Sequence, residues 1–312
     1  MSRVVQWHPG MPELGPSVVA LGVFDGVHRG HASLIGLTVR RAEEAGLPSA
    51  VVTFDPDPAH VVSDVPGTRL LEPDEKTALI AGLGADIVLV VPFDENLAAW
   101  SPERFVEQVL VAALEPVLVV VGPEFRFGAG ASGDAGTLTD ACAESGCRVE
   151  LAEPLVVDGE RVSSTRIRGL LAEGDVAGAQ RLLGRPHRLT GPVHRGRGEG
   201  AAVLGMPTAN VELDEHAALP ASGVYAGFVN AEDGERWPAA IAVGKPPMFP
   251  DARDILEAHL IGFEGDLYGH TITVEFLERL RDQQRFASVE ELVAAMKADA
   301  AKATEIARGP SG

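Results

Sequence analysis

Cysteine is nearly missing from this chain of 312 residues: only Cys142 and Cys147 are present. Without two further ligands they make no zinc site. So few thiols fit a reducing compartment and exclude a disulfide scaffold. Lysine is almost as scarce, with Lys76, Lys245, Lys297 and Lys302 the only four. Arginine carries the positive charge, which reads as compositional bias. Aromatics are few at 5%, but an apolar content of 46% is ordinary and excludes disorder and fibrous classes. No apolar run is long enough to span a bilayer. The start, Met1-Ser2-Arg3-Val4-Val5-Gln6-Trp7, lacks the apolar core of a signal peptide. These absences place the chain in the cytoplasm with no membrane partner. The formal net charge of −19 also argues against broad nucleic-acid binding. Any phosphate substrate must therefore meet local positive potential, from a few arginines, helix ends or a bound cation.

The length suggests about two domains, at roughly 100–200 residues each. In the first half, apolar runs at Val18–Val23, Ala50–Phe54, Ile87–Val91 and Val117–Val121, and a short one at Val149–Leu151, alternate with helical patterns. Helices are predicted at His31–Ala45, Asp74–Leu83 and Gly136–Ser145, and another opens at Ser101-Pro102-Glu103. Continuous apolar strands between helices predict a parallel sheet covered on both faces. Ligands of such sheets bind at the carboxyl ends of the strands. After Arg185-Pro186 the rhythm changes. Short runs at Gly223–Val229, Ala239–Val243, Leu256–Ile261 and Thr271–Phe276 read as antiparallel β, a small barrel or sandwich. Ser288-Val289-Glu290-Glu291 reads as a capping box opening a last helix to about Ala307. The domain boundary falls near Gly184–His187, giving domains 1–185 and 186–312.

The most informative segment is Ala20-Leu21-Gly22-Val23-Phe24-Asp25-Gly26-Val27-His28-Arg29-Gly30-His31. A strand-like run ends in glycines, then in two histidines three apart, then in a helix. Imidazoles and backbone N–H groups at a helix N-terminus favour phosphate. Transfer to or from a nucleotide needs charge neutralisation more than covalent chemistry. Ser163–Thr165 can cap a helix beginning near Arg166. Arg166 or Arg168 can hold a triphosphate by paired N–H bonds.

The string resembles the H-x-G-H signature of nucleotidylyltransferases. In its longer form it resembles bacterial bifunctional riboflavin kinase/FAD synthetases. Val51–Pro56 resembles that family's second strand and loop. Val121–Gly128 resembles its V-G-x-D-F-x-F-G loop, and Val162–Arg168 its I-S-S-T-x-I-R segment. Gly205-Met206-Pro207-Thr208-Ala209-Asn210 resembles the G-F-P-T-A-N motif of riboflavin kinases. Leu256–Leu260 resembles the strand bearing their catalytic glutamate, and Asp266–Gly269, Arg281 and Phe286 extend the match.

The resemblance implies an α/β fold: a Rossmann-like nucleotidylyltransferase domain with a parallel sheet, then an antiparallel β-barrel with a terminal helix. It implies that the second domain phosphorylates riboflavin with ATP to FMN, and that the first adenylylates FMN to FAD with release of pyrophosphate. His28, His31 and Glu257 are the implied catalytic residues, with Glu257 the general base. Gly22, Phe24, Gly30, Ser164, Thr165, Arg168, Gly196, Gly198, Thr208 and Asn210 would bind ATP. Thr208 and Asn210 would also hold Mg²⁺, and Glu124 and Phe125 would bind flavin. Alternatives are a chain with one active half, or a nucleotidylyltransferase acting on another phosphorylated substrate.

The chain departs from the family pattern at several positions. Asp57 stands where the family usually has His, an anion that either faces solvent or weakens adenylylation. Glu124 replaces Asp or Asn, and Met206 replaces Phe. Lys245, Pro246 and Met248 alter a loop commonly written G-x-N-P-T-F.

Overall fold

A computed structural model describes residues 2–63, 67–194, 208–232, 234–244 and 255–309. The chain forms two compact units, Met1–Gly67 with Glu72–Ser164, and Thr68–Leu71 with Thr165–Gly312. This division precedes 185/186, while the change from helices to strands itself falls between Leu183 and His187.

The first unit is built on six parallel strands: β1 (Arg3–Gln6), β2 (Ser17–Leu21), β3 (Ser49–Asp55), β4 (Ile87–Pro92), β5 (Pro116–Val121) and β6 (Arg148–Leu151). Their order is β1-β4-β3-β2-β5-β6. Every residue of β2 is buried, as expected where helices cover both faces. β1 was not expected from sequence. It is a short edge strand, largely exposed, and carries little apolar signal. From β2 the chain moves outward to β3 and β4, then returns to lay β5 on the other side of β2. The crevice between β2 and β5 is therefore the topological switch point, where open α/β sheets bind ligands.

The helix Arg29–Ala45 leaves β2 and buries Leu34, Ile35, Thr38 and Ala42 along one stripe. Gly46 ends it in the left-handed conformation, at φ 65°, with its N–H returning to Ala42 and Glu43 carbonyls.

The second unit is a closed antiparallel barrel of β9 (His187–His194), β10 (Ala209–Val211), β11 (Gly223–Asn230), β12 (Arg236–Gly244), β13 (Ile255–Leu260) and β14 (Thr271–Arg281). A two-stranded hairpin, β7 (Val156–Val157) and β8 (Glu160–Arg161), belongs to the first unit. Tyr225, Ile241, Ala258, Val274 and Phe276 fill the barrel. The last helix, Val289–Arg308, starts on Ser288, whose Oγ accepts from Glu291 N–H. The Glu291 carboxylate reaches back to Ala287 N–H, one residue before the cap. Arg281 grips Asp299 of this helix with Nε and Nη2, the shortest contact being 2.7 Å.

Candidate active sites

The segment after β2 is held in a costly shape. Phe24 and Val27 have φ of 56° and 37°, a region that residues with side chains rarely occupy. Such backbone persists only where its surroundings over-determine it. Here Thr53 Oγ1 donates to the Val23 carbonyl (2.9 Å), Val27 N–H to the Phe24 carbonyl (3.0 Å) and Ser164 Oγ to the Asp25 carbonyl (2.8 Å). The loop delivers His28 as the N-cap of helix Arg29–Ala45.

His28 is 4% exposed, and its Nδ1 accepts from His31 N–H at 3.2 Å. In the neutral ring the proton therefore sits on Nε2, making that nitrogen a donor. The His28 and His31 rings stack with centroids 3.5 Å apart. Phe24, 2% exposed, meets His31 edge-on at 5.2 Å. A Cβ on Gly30 would sit 3.1 Å from His28 Cε1, so any larger residue would press the imidazole out of place by a few tenths of an ångström. Gly22 lies against the Phe24 ring in the same way. His31 Nδ1 is buried and meets no hydrogen-bond partner among the described residues. Burial, then the charges of His28, Lys76 and Arg161, hold the His31 imidazole well below its ordinary pKa. A buried, unpaired imidazole nitrogen among positive groups is arranged to meet an anion.

Asp57 neither faces solvent nor stands as an isolated anion. Its side chain is 13% exposed and bonds Lys76 Nζ at 2.5 Å. Lys76 Nζ also donates to the Phe54 carbonyl at 2.8 Å. The helix expected to begin near Arg166 begins at Ser164. The Ser164 hydroxyl is thus spent on the Asp25 carbonyl, and Thr165 is exposed in the first turn. Arg168 Nε donates to the Thr68 carbonyl at 2.6 Å. After β5, the exposed Glu124 pairs with Arg161 of β8, and Phe125 stacks on Phe127 at 5.2 Å. Sequence reading missed Arg161 and Lys76. Both are single charges, although Arg161 directly precedes the Val162–Arg168 motif.

In the barrel, Asn210 on β10 lies directly opposite Glu257 on β13, and Glu257 opposite Ala242 on β12. Directly paired side chains sit with Cβ atoms about 5 Å apart. Thr208 and Glu257 line a cavity of about 510 Å³ between these strands, the segment after β14 and the last helix. Its walls include Val224, Ala242, Phe286, Leu292 and Met296, an apolar lining of the kind that takes a flat ring system. Burial raises the Glu257 carboxyl above its usual range. The Thr208 hydroxyl and Glu257 carboxylate in this cavity, with the Asn210 amide opposite Glu257 on the neighbouring strand, are hard oxygen donors, which fit Mg²⁺. Gly196, Gly198, Met206, Pro207, Lys245, Pro246 and Met248 lie outside the described residues.

A strained strand-to-helix turn bearing two imidazoles, and a barrel cavity lined by Thr208 and Glu257 with Asn210 on the adjoining strand, define a two-part nucleotide-using transferase. Residues 11–166 match the family model for FAD synthetase, and residues 183–307 that for riboflavin kinase. The bifunctional riboflavin kinase/FMN adenylyltransferase of Pseudomonas fluorescens is 40% identical over 98% of both chains. Those of Escherichia coli K12 and Bacillus subtilis are 37% and 36% identical, covering 92% of this chain and 92% and 91% of theirs. The chain belongs to the bifunctional riboflavin kinase/FMN adenylyltransferase family.

A solved Streptococcus pneumoniae structure, described as a macrolide-efflux protein, superposes with TM-score 0.86 at 29% identity over 99% of each chain. Among the described residues here, no helix is long and apolar enough to cross a membrane.

Proposed function

We propose that the barrel domain, residues 186–312, transfers the γ-phosphate of ATP to the 5′-hydroxyl of riboflavin, giving FMN and ADP. The sheet domain, residues 1–185, then transfers AMP from a second ATP to FMN, giving FAD and pyrophosphate. The observation that carries the first step is the apolar cavity lined by Thr208 and Glu257, with Asn210 opposite Glu257 on the neighbouring strand. Glu257 takes the proton from the ribityl hydroxyl as its oxygen attacks the γ-phosphorus. Burial makes Glu257 a stronger base once ionised. The walls around Phe286 and Met296 seat the flavin ring and exclude water. Thr208 and Asn210 orient the terminal phosphates and would hold Mg²⁺. Mg²⁺ supplies neutralisation of charge between those phosphates when bound.

The second step needs no protein nucleophile. The FMN phosphate attacks the α-phosphorus in line while pyrophosphate leaves. His28 Nε2–H and His31 stabilise the oxyanions. Thr165 and Arg168 keep the phosphate-binding role implied by their motif, as Gly196 and Gly198 do for ATP of the kinase, while Ser164 serves by holding the Asp25 carbonyl of the histidine loop. Glu124 and Phe125 contact the flavin. The partners are riboflavin, FMN, FAD and ATP, with no nucleic acid. The proposed compartment is the cytoplasm, on the strength of the acidic, cysteine-poor composition.

Incubating the protein with riboflavin, ATP and Mg²⁺ and separating the flavins tests this reading. FAD is expected. FMN alone would confine activity to the barrel, and no flavin nucleotide would overturn the proposal.

A further inference from the structure

Cys142 and Cys147 are the only thiols in the chain, and neither proposed reaction uses them. Both are buried, at 0% and 6% exposed, in the core of the sheet unit. They flank the turn that joins the helix Ala135–Ala143 to β6. Cys147 N–H donates to the Cys142 carbonyl at 3.0 Å, and Gly146 N–H to the Ala143 carbonyl at 3.1 Å. Gly146 itself has φ 75°. Two such bonds around a left-handed glycine form a helix stop that brings the side chains at its two ends together. The bond between Cys147 and Cys142 also limits their Cα atoms to about 7 Å apart at most, within the reach of a disulfide. The Cys147 thiol accordingly hydrogen-bonds the Cys142 sulfur, and its Sγ lies 3.2 Å from the Arg148 carbonyl. That thiol–thiol bond holds Cys142 below its ordinary pKa, so Cys142 is the more readily ionised sulfur. Residues 143–146, the turn between the two, are all exposed.

We propose that Cys142 and Cys147 are a reversible redox site, which closes to a disulfide within the chain when hydrogen peroxide reaches this turn. The Cys142 thiolate attacks one peroxide oxygen, the O–O bond breaks, and the hydroxide that leaves takes up the Cys142 proton as water. The Cys147 sulfur then attacks the sulfenic sulfur of Cys142. The S–S bond forms, and a second water leaves with the Cys147 proton. The two thiols lose two electrons, which the peroxide gains. A dithiol reductant reverses the closure by thiol–disulfide exchange. With no third thiol in the sequence, this is the one disulfide that a single chain can make. Neither flavin reaction is needed for it.

The test treats the folded full chain with a modest excess of hydrogen peroxide, then alkylates it with iodoacetamide in denaturant. Trypsin leaves both cysteines on one peptide, residues 127–148, which is weighed by mass spectrometry. Before oxidation this peptide should carry two alkyl groups. Afterwards it should carry none and be lighter by two hydrogens. Dithiothreitol added before alkylation should restore the doubly alkylated form. In the Cys147→Ser chain the closed form should vanish, and Cys142 should instead gain oxygen. Three results would overturn the proposal. The first is a peptide still doubly alkylated after oxidation. The second is oxygen added at one cysteine of the unaltered chain while the other remains alkylated. The third is a disulfide found only between chains on a non-reducing gel.

Discussion

The two units build their candidate sites in different ways. The sheet unit uses an irregular loop, with two non-glycine residues in left-handed backbone and three tethers holding them. Its candidate donors are two stacked imidazoles at a helix start. The barrel unit uses regular ladders, where strand register alone brings Asn210 opposite Glu257. Its donors are oxygens whose natural complement is a hard cation. A strained loop sets one side chain to high accuracy but fails if a single tether or glycine is changed. A ladder tolerates local change but carries chemistry only through the residue at one register position.

That contrast can be broken most severely at Glu257. Glu257→Ala should lower riboflavin phosphorylation by about 10²–10⁴-fold and leave added FMN convertible to FAD, measured by separate assays of each half-reaction. His28→Ala should do the reverse, costing about 10²–10³-fold in FAD formation while FMN formation continues. Equal loss of both activities in either variant would contradict the division.

A third test concerns a histidine away from both sites. His187 opens the barrel, is 1% exposed and donates from Nε2 to the Ala218 carbonyl at 2.8 Å. Burial depresses its pKa from 6.5 to about 4. The unfolded chain therefore takes up a proton as pH falls through 6.5, while the fold resists until about pH 4. Stability is fully present above pH 6.5 and is lost across that window, by about 3 kcal/mol at most. Denaturant titrations at stepped pH should show this loss, and His187→Gln, which keeps a donor, should flatten it. An unchanged slope would exclude His187 as its source.

The mildest test sharpens the loop's side of the comparison. Gly30→Ala places a methyl 3.1 Å from the His28 ring. It should cost about tenfold in adenylylation with little change in thermal stability or in kinase activity. If FAD formation is unaffected, the ring has room that its packing denies.

Much of this was legible in the sequence because it was local. Val18–Val23 and Ile87–Val91 announced covered strands by continuous apolarity, and His28 with His31 announced a helix start by their spacing. Ser288 with Glu291 did the same for the last helix. What was hidden depends on chain segments meeting at a distance. The Asn210–Glu257 opposition is a register between strands far apart in the chain, and neither residue is unusual alone. Lys76 looks like any surface lysine until burial against β3 is known, so Asp57 read as an unwelcome anion. The Ser164 hydroxyl looked like a helix cap because its partner, the Asp25 carbonyl, is remote in sequence. Part of the barrel cavity's apolar wall, Leu292 and Met296, comes from the last helix, whose buried stripe resembles ordinary core packing.

The central claim is that two separate centres act in sequence, one on imidazoles and one on a barrel glutamate. Mixing the His28→Ala and Glu257→Ala chains in equal amounts with riboflavin, ATP and Mg²⁺ tests it most directly. Separately, the first should stop at FMN and the second should leave riboflavin unchanged. Together they should yield FAD, as FMN released by one is adenylylated by the other. A mixture that accumulates FMN without FAD, or leaves riboflavin untouched, would contradict the account.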